Sequence, residues 1–272
     1  MKEFRLALST ANASPATAPI LLNGSVVENL RRAAALGYDA IEVHIRENDA
    51  FDEVGILRAA AECSVEVAQI ITGRLNTEGR CSLTDDRPYV VEAALRGMER
   101  YINMAASVGA DLVIGWIRGT VPPGKDRCVY IQRLAECMRL LNSKSRTVGV
   151  KLNIEVINRY ETNIFNTCEE TIDFIEKYGL DNCFVHLDTF HMNIEEADMA
   201  QAIRRARGLL NYIHFADNQR RYVGSGSIDF EGVIQALRDI GYEGIISVEC
   251  LPVPDAETAA RASINRIRQY LR

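Results

Sequence analysis

Eight short apolar runs, FRLALS, AIEVHI, VEVAQII, DLVIGW, KLNIEVI, CFVHLD, NYIHFA and GIISVE, are spread along the 272 residues, with stretches of helical periodicity between them. Each run suits a strand buried on both faces. Val91, Ala94, Leu95, Met98, Tyr101, Ile102 and Ala105 line one side of a helix, and Phe230, Val233, Ile234, Leu237 and Ile240 line another. Ser25 followed by Glu28 forms a capping-box pattern, Asp229 precedes a periodic segment, and Gly37, Gly109, Gly149, Gly179 and Gly241 fall where helices should end. Strand-helix alternation repeated eight times predicts an α/β fold with parallel pairing, closed as a single (β/α)8 TIM barrel domain over residues 1–272. The alternative is an open doubly wound sheet, but neither G-x-G-x-x-G after the first strand nor G-x-x-x-x-G-K-S/T is present to give it a nucleotide site.

A hydrophobic content of 47% excludes disorder, and 31 Lys+Arg against 37 Asp+Glu gives a net charge of −6, so no basic footprint for nucleic acid exists. Seven cysteines without a C-x-x-C pair read as reduced thiols in a cytoplasm. No apolar run approaches the roughly 18 residues a membrane span needs. MKEFRLALST leads directly into strand-like sequence, so neither export nor anchoring is expected.

Functional side chains of such a barrel stand where the strands end at their carboxyl side. There the fifth to eighth runs offer Glu155, Asp188, His214 and Glu249, at intervals of 33, 26 and 35 residues, close to the 34 that one-eighth of 272 residues allows. Four consecutive strands would thus present one ligand-type side chain each at similar height. Three carboxylates and one imidazole form an oxygen-rich set suited to one divalent ion, Mn²⁺ above Mg²⁺, Co²⁺ or Zn²⁺. Without a cation, three carboxylates in a low-dielectric pocket would have to protonate or pair. Long connections at 72–88 and 117–126, and the irregular stretch after Glu155, are expected to cover this face.

The segments NIEVINRYETNIFNT (153–167), HLDTFHMNIEE (186–196), HFADNQRR (214–221), GSGSIDF (224–230) and SVEC (247–250) resemble those of the D-tagatose/D-psicose 3-epimerase group, sugar isomerases and epimerases with a xylose isomerase-like barrel. VIGWIRG, RYETN and VECLP are similar to members that act on keto sugar acids of the 5-keto-L-gluconate type. The resemblance implies that Glu155, Asp188, His214 and Glu249 bind the metal, that Glu155 and Glu249 form the catalytic pair, and that Glu161, His191 and Arg220 contact the sugar. It also implies a homo-oligomer, a dimer or tetramer. Val223 departs from a common proline, and Ser227 from a common histidine.

The implied reaction is epimerisation. A proton next to a ketone is removed from one face by one glutamate, the enediolate is stabilised by the cation, and the other glutamate returns a proton to the opposite face. Trp116 is expected to wall the sugar, and Arg118, with the arginines of GRLNTEGR (73–80), to meet a substrate carboxylate. Asn158 and Asn166 read as loop formers. An aldose-ketose or hydroxypyruvate-type isomerase could use the same metal site. An endonuclease IV-type nuclease is disfavoured because only His44, His186, His191 and His214 are available and two of them look poorly placed. An inactive sugar-binding barrel would be expected to have lost a ligand, and none is lost.

Overall fold

The structure, a computed structural model, describes residues 4–272, so the first three residues of the stretch read as leading into a strand lie outside it. All eight apolar runs form strands: β1 (Arg5–Ala11), β2 (Ala40–His44), β3 (Glu66–Ile71), β4 (Asp111–Ile114), β5 (Leu152–Glu155), β6 (Cys183–Asp188), β7 (Leu210–Phe215) and β8 (Ile245–Val248). Each pairs in parallel with the next, and β8 returns to β1 with Arg5 opposite Ile245 and Leu8 opposite Val248, which closes the barrel. Closure leaves no barrel edge to protect. A two-residue strand, Leu22–Asn23, adds to the end of β1.

The connecting helices form where periodicity placed them, and their ends follow the local chemistry. Ser25 caps α1 (Val26–Leu36) with the full capping box, and Gly37 ends it at φ 86°, a left-handed conformation that glycine adopts without a Cβ clash. Asp229 caps α9 (Phe230–Asp239) by accepting from the Gly232 amide. The main apolar core lies between strands and helices, whereas Ala7, Ala40, Tyr212 and Ile245 form a small separate layer inside the barrel.

Above that layer the interior is polar. Side chains two residues apart share a strand face, so Glu42 and His44, Asn153 and Glu155, His186 and Asp188, Tyr212 and His214, and Ser247 and Glu249 rise in pairs toward one rim. Register levels them, Glu155 standing opposite His186 and Asp188 opposite His214.

The segments over that rim contain more structure than their sequence suggested: a short helix at Gly73–Thr77, a 3-10 turn at Trp116–Arg118, and two helices, α7 (Thr189–Glu195) and α8 (Met199–Arg205), between β6 and β7. All seven cysteines are unpaired. No helix among the described residues is long and apolar enough to cross a membrane.

Candidate metal and sugar site

Glu155, Asp188, His214 and Glu249 converge, each offering one ligand atom within 4.8 Å of the others. His214 Nδ1 is 3.6 Å from Glu155 Oε1, 3.7 Å from Asp188 Oδ2 and 3.6 Å from Glu249 Oε2. These separations exceed hydrogen bonds, and both His214 Nδ1 and Asp188 Oδ2 are buried without a partner. Two orphaned acceptor-type atoms facing each other fit a cation between them. The four residues could hold one.

The Asp188 and His214 ligand atoms are each aimed by a second contact on the same side chain. Asp188 caps α7 with Oδ1, which accepts from the Phe190 amide at 2.8 Å, so Oδ2 is left free. His214 Nε2 donates to Glu42 Oε2 at 2.8 Å, which fixes the tautomer with Nδ1 bare. A methyl group at Gly115 would lie 2.9 Å from Glu155 Oε2, so this glycine at the end of β4 keeps the space the carboxylate occupies.

The electrostatics divide the carboxylates. Burial, reinforced by Glu155 and opposed by His214 and Arg220, raises Glu249 to about 7. For Glu155, the hydrogen-bonding and charge of nearby histidines overcome burial and hold the carboxyl well below its usual range. Burial would depress His214, but Glu42 and then Glu249 carry it well above the ordinary imidazole value, so a proton competes with a cation for Nδ1. His186, enclosed beside His214 with ring centroids 4.2 Å apart, is lowered to about 3, chiefly by burial.

Glu155 and Glu249 open into a cavity of about 540 Å³, lined also by Trp116, Glu161, His191 and Arg220, a size typical of small-ligand sites. Asn158 organises two of them. Its Oδ1 accepts from the Tyr160 amide, which turns Nδ2 toward His191 Nδ1 at 2.7 Å and Glu161 Oε1 at 3.0 Å. His191 Nδ1 therefore accepts, and its proton sits on Nε2, the nitrogen nearer Asp188. Burial lowers this imidazole and keeps it neutral. Arg220, over the Phe190 ring, donates to Glu249 Oε2 at 2.6 Å and lies 3.5 Å from Glu161 Oε1.

Residues 30–270 match the family described as xylose isomerase-like TIM barrel. L-ribulose 3-epimerase from Mesorhizobium japonicum is 34% identical over 219 residues, 78% of this chain and 71% of that one. D-psicose 3-epimerase from Enterocloster bolteae is 31% identical over 223 residues, 80% and 74% of the two chains. The apo structure of 3-keto-D-glucoside 4-epimerase from E. coli superposes with a TM-score of 0.83 at 25% identity, covering 98% of this chain and 100% of that one. This chain belongs to the xylose isomerase-like TIM barrels. Among them it is an isomerase of the sugar 3-epimerase type, as its motifs implied.

Within this epimerase barrel some expectations need correction. Arg118 does not reach the cavity: it is wholly buried, donating to the carbonyls of Ile114 and Glu155 near the Phe165 ring. The 3-10 turn folds it beneath the rim, and burial lowers its guanidinium to about 10. Of the two arginines in 73–80, Arg74 lines the cavity and Arg80 does not. His44 and His186, which looked poorly placed, both face the site. Sequence reasoning passed over Glu42, His44 and the orienting role of Asn158. The alternation in AIEVHI, which matches that in CFVHLD, was the available signal for the first two.

Proposed function

We propose that the chain is a divalent-metal-dependent epimerase that inverts the carbon next to the ketone of a ketose or keto sugar acid. The observation that carries this reading is the pair of unpartnered atoms, Asp188 Oδ2 and His214 Nδ1, gathered with Glu155 and Glu249 at the base of a sugar-sized cavity. Glu155, Asp188, His214 and Glu249 would hold the ion, and the oxygen-rich donor set suits Mn²⁺. When bound, it supplies positive charge against the negative charge that develops on the ketone oxygen and its neighbour in the enediolate.

The remaining work falls to side chains. One of Glu155 and Glu249, which come from different strands, takes the C3 proton, and the other returns a proton to the opposite face. His191, held by Asn158 with its proton on Nε2, donates to a substrate oxygen. Arg220 forks onto substrate oxygens, Glu161 accepts from a hydroxyl, and Trp116, 39% exposed, offers an apolar wall. The names of the relatives favour a neutral ketose such as L-ribulose or D-psicose. Arg74, the cavity's arginine besides Arg220, suits the carboxylate of a 5-keto-L-gluconate or D-tagaturonate type substrate.

An NMR assay in D₂O with Mn²⁺, offering D-psicose, D-fructose, D-tagatose, 5-keto-L-gluconate and D-tagaturonate separately, tests both reaction and substrate. Deuterium should enter at the carbon next to the ketone together with the inverted product, and Glu155→Gln or Glu249→Gln should abolish the exchange. Deuterium at C1 with aldose formation would replace this reading by a 1,2-isomerase.

A further inference from the structure

The three long connections over the rim, 72–88, 117–126 and the stretch after Glu155, wall a second cavity of about 620 Å³ that the epimerase reaction as described does not use. It adjoins the first, because Trp116 and Glu161 line both. Each of the two is by itself within the range of about 300–1,000 Å³ typical of small-ligand sites. A free monosaccharide over the carboxylates would fill only the first.

The wall between them is fixed from the second cavity's side. Trp116 opens the 3-10 turn Trp116–Arg118, and the end of that turn is held by Thr84 Oγ1, which donates to the Arg118 carbonyl at 2.9 Å, and by Thr162 Oγ1, which donates to the Gly119 carbonyl at 3.1 Å. Gly119 sits at φ 82°, and a methyl group there would collide with the Ser82 and Thr84 hydroxyls, so glycine lets the turn close down on them.

The lining has the chemistry of a carbohydrate site. Trp116 offers an apolar ring face. Tyr130 and Arg133 both donate to Asp86 Oδ1, at 2.7 and 3.2 Å, and among the described residues Oδ2 has no such donor. Ionised carboxylates only accept, so Asp86 and Glu161 call for hydroxyl donors. Arg87, the arginine that lines this cavity, is forked onto Asp85, with Nε to Oδ1 at 2.8 Å and Nη2 to Oδ2 at 2.9 Å, and is therefore spent rather than offered to a phosphate or carboxylate. A neutral polyhydroxy group matches this set and an anion does not. We propose that the second cavity holds a glycosyl group carried by the substrate, so that the sugar epimerised at the carboxylates is one unit of a glycoside and the other unit lies beyond Trp116. The inference rests on the epimerase reading of the first cavity.

The Mn²⁺-loaded full chain, assayed in D₂O for deuterium entry next to the ketone, tests this with trehalulose, maltulose and isomaltulose, which carry a glucosyl group at O1, O4 and O6 of a ketose, beside the free ketoses and keto acids. At least one disaccharide should exceed the best free substrate in kcat/KM by about tenfold or more. That preference should be lost in Thr120→Trp, which fills the second cavity from its exposed edge. Asp86→Ala, which removes an acceptor without adding bulk, should lose it as well, and because the readout is a ratio within one protein, a folding defect in either variant does not decide the matter. A smaller preference, or none, overturns the glycosyl site and leaves the epimerase standing. A preference kept in both variants overturns its placement, and exchange with none of these compounds overturns the epimerase reading together with this inference.

Discussion

At the residue scale, the site works by giving each polar side chain two duties. Asp188 spends one oxygen on the first turn of α7 and keeps the other free, so being a helix cap and being a ligand are not competing explanations for it. His214 and His191 follow the same plan, one ring nitrogen bound to Glu42 or Asn158 and the other presented to the cavity side. Arg118 is the counter-example, since its Nη1 is turned to carbonyls beneath the rim while Nε and Nη2 are buried without a partner. Arg118→Ala should therefore cost about 2–4 kcal/mol of stability by opening a cavity and stranding the Glu155 carbonyl. Calorimetry would detect it, and the relative KM for keto acids and neutral ketoses should not change. A selective rise in KM for acids with no loss of stability would return Arg118 to the substrate.

At the scale of elements, the rim loops are fixed by buried or half-buried carboxylates that accept several donors at once. Asp217, fully buried after β7, accepts from the amides of Asn218, Gly224, Gly226 and Ile228 and so shapes the glycine loop. Val223, at the position of a common proline, uses its amide to donate to Ser263 Oγ, a bond that proline could not make. Glu195, at the end of α7, accepts from the Arg159 amide and guanidinium and ties that helix to the loop bearing Asn158 and Glu161. The Arg159 hydrogen bonds lower the Glu195 pKa. A lowered folded pKa contributes stability above the unfolded value, about 4.3, and loses it as pH falls through the folded value. The melting-temperature gap between wild type and Glu195→Gln should thus be full at pH 7 and close progressively below about pH 4. A gap that persists unchanged in acid would assign the effect to packing instead.

At the scale of the molecule, barrel closure joins strands that are far apart in the chain, and the candidate ligands sit on four neighbouring strands of that closed ring. An ion bound there links β5, β6, β7 and β8, and stabilises the folded chain only. Mn²⁺ at one hundred times its Kd should add about 2.7 kcal/mol to the unfolding free energy. Scanning calorimetry with chelator and with Mn²⁺ checks this, and identical melting temperatures would count against the ligand set.

The order of elements was legible in the sequence because strand length, helical period and capping chemistry are local properties, and all eight runs became barrel strands. The four ligand-type residues were legible too, because each stands at the end of its apolar run and parallel register brings those ends to similar height in the barrel. Which way a side chain turns at the rim is not local. Trp116 faces the cavity while Arg118, two residues later in the same turn, is buried beneath it, and only packing against Phe165 and the β5 carbonyl decides between them. Glu42 and His44 became neighbours of Glu249 only when β8 closed onto β1, next to β2, because adjacency across a closed sheet is set by the whole ring.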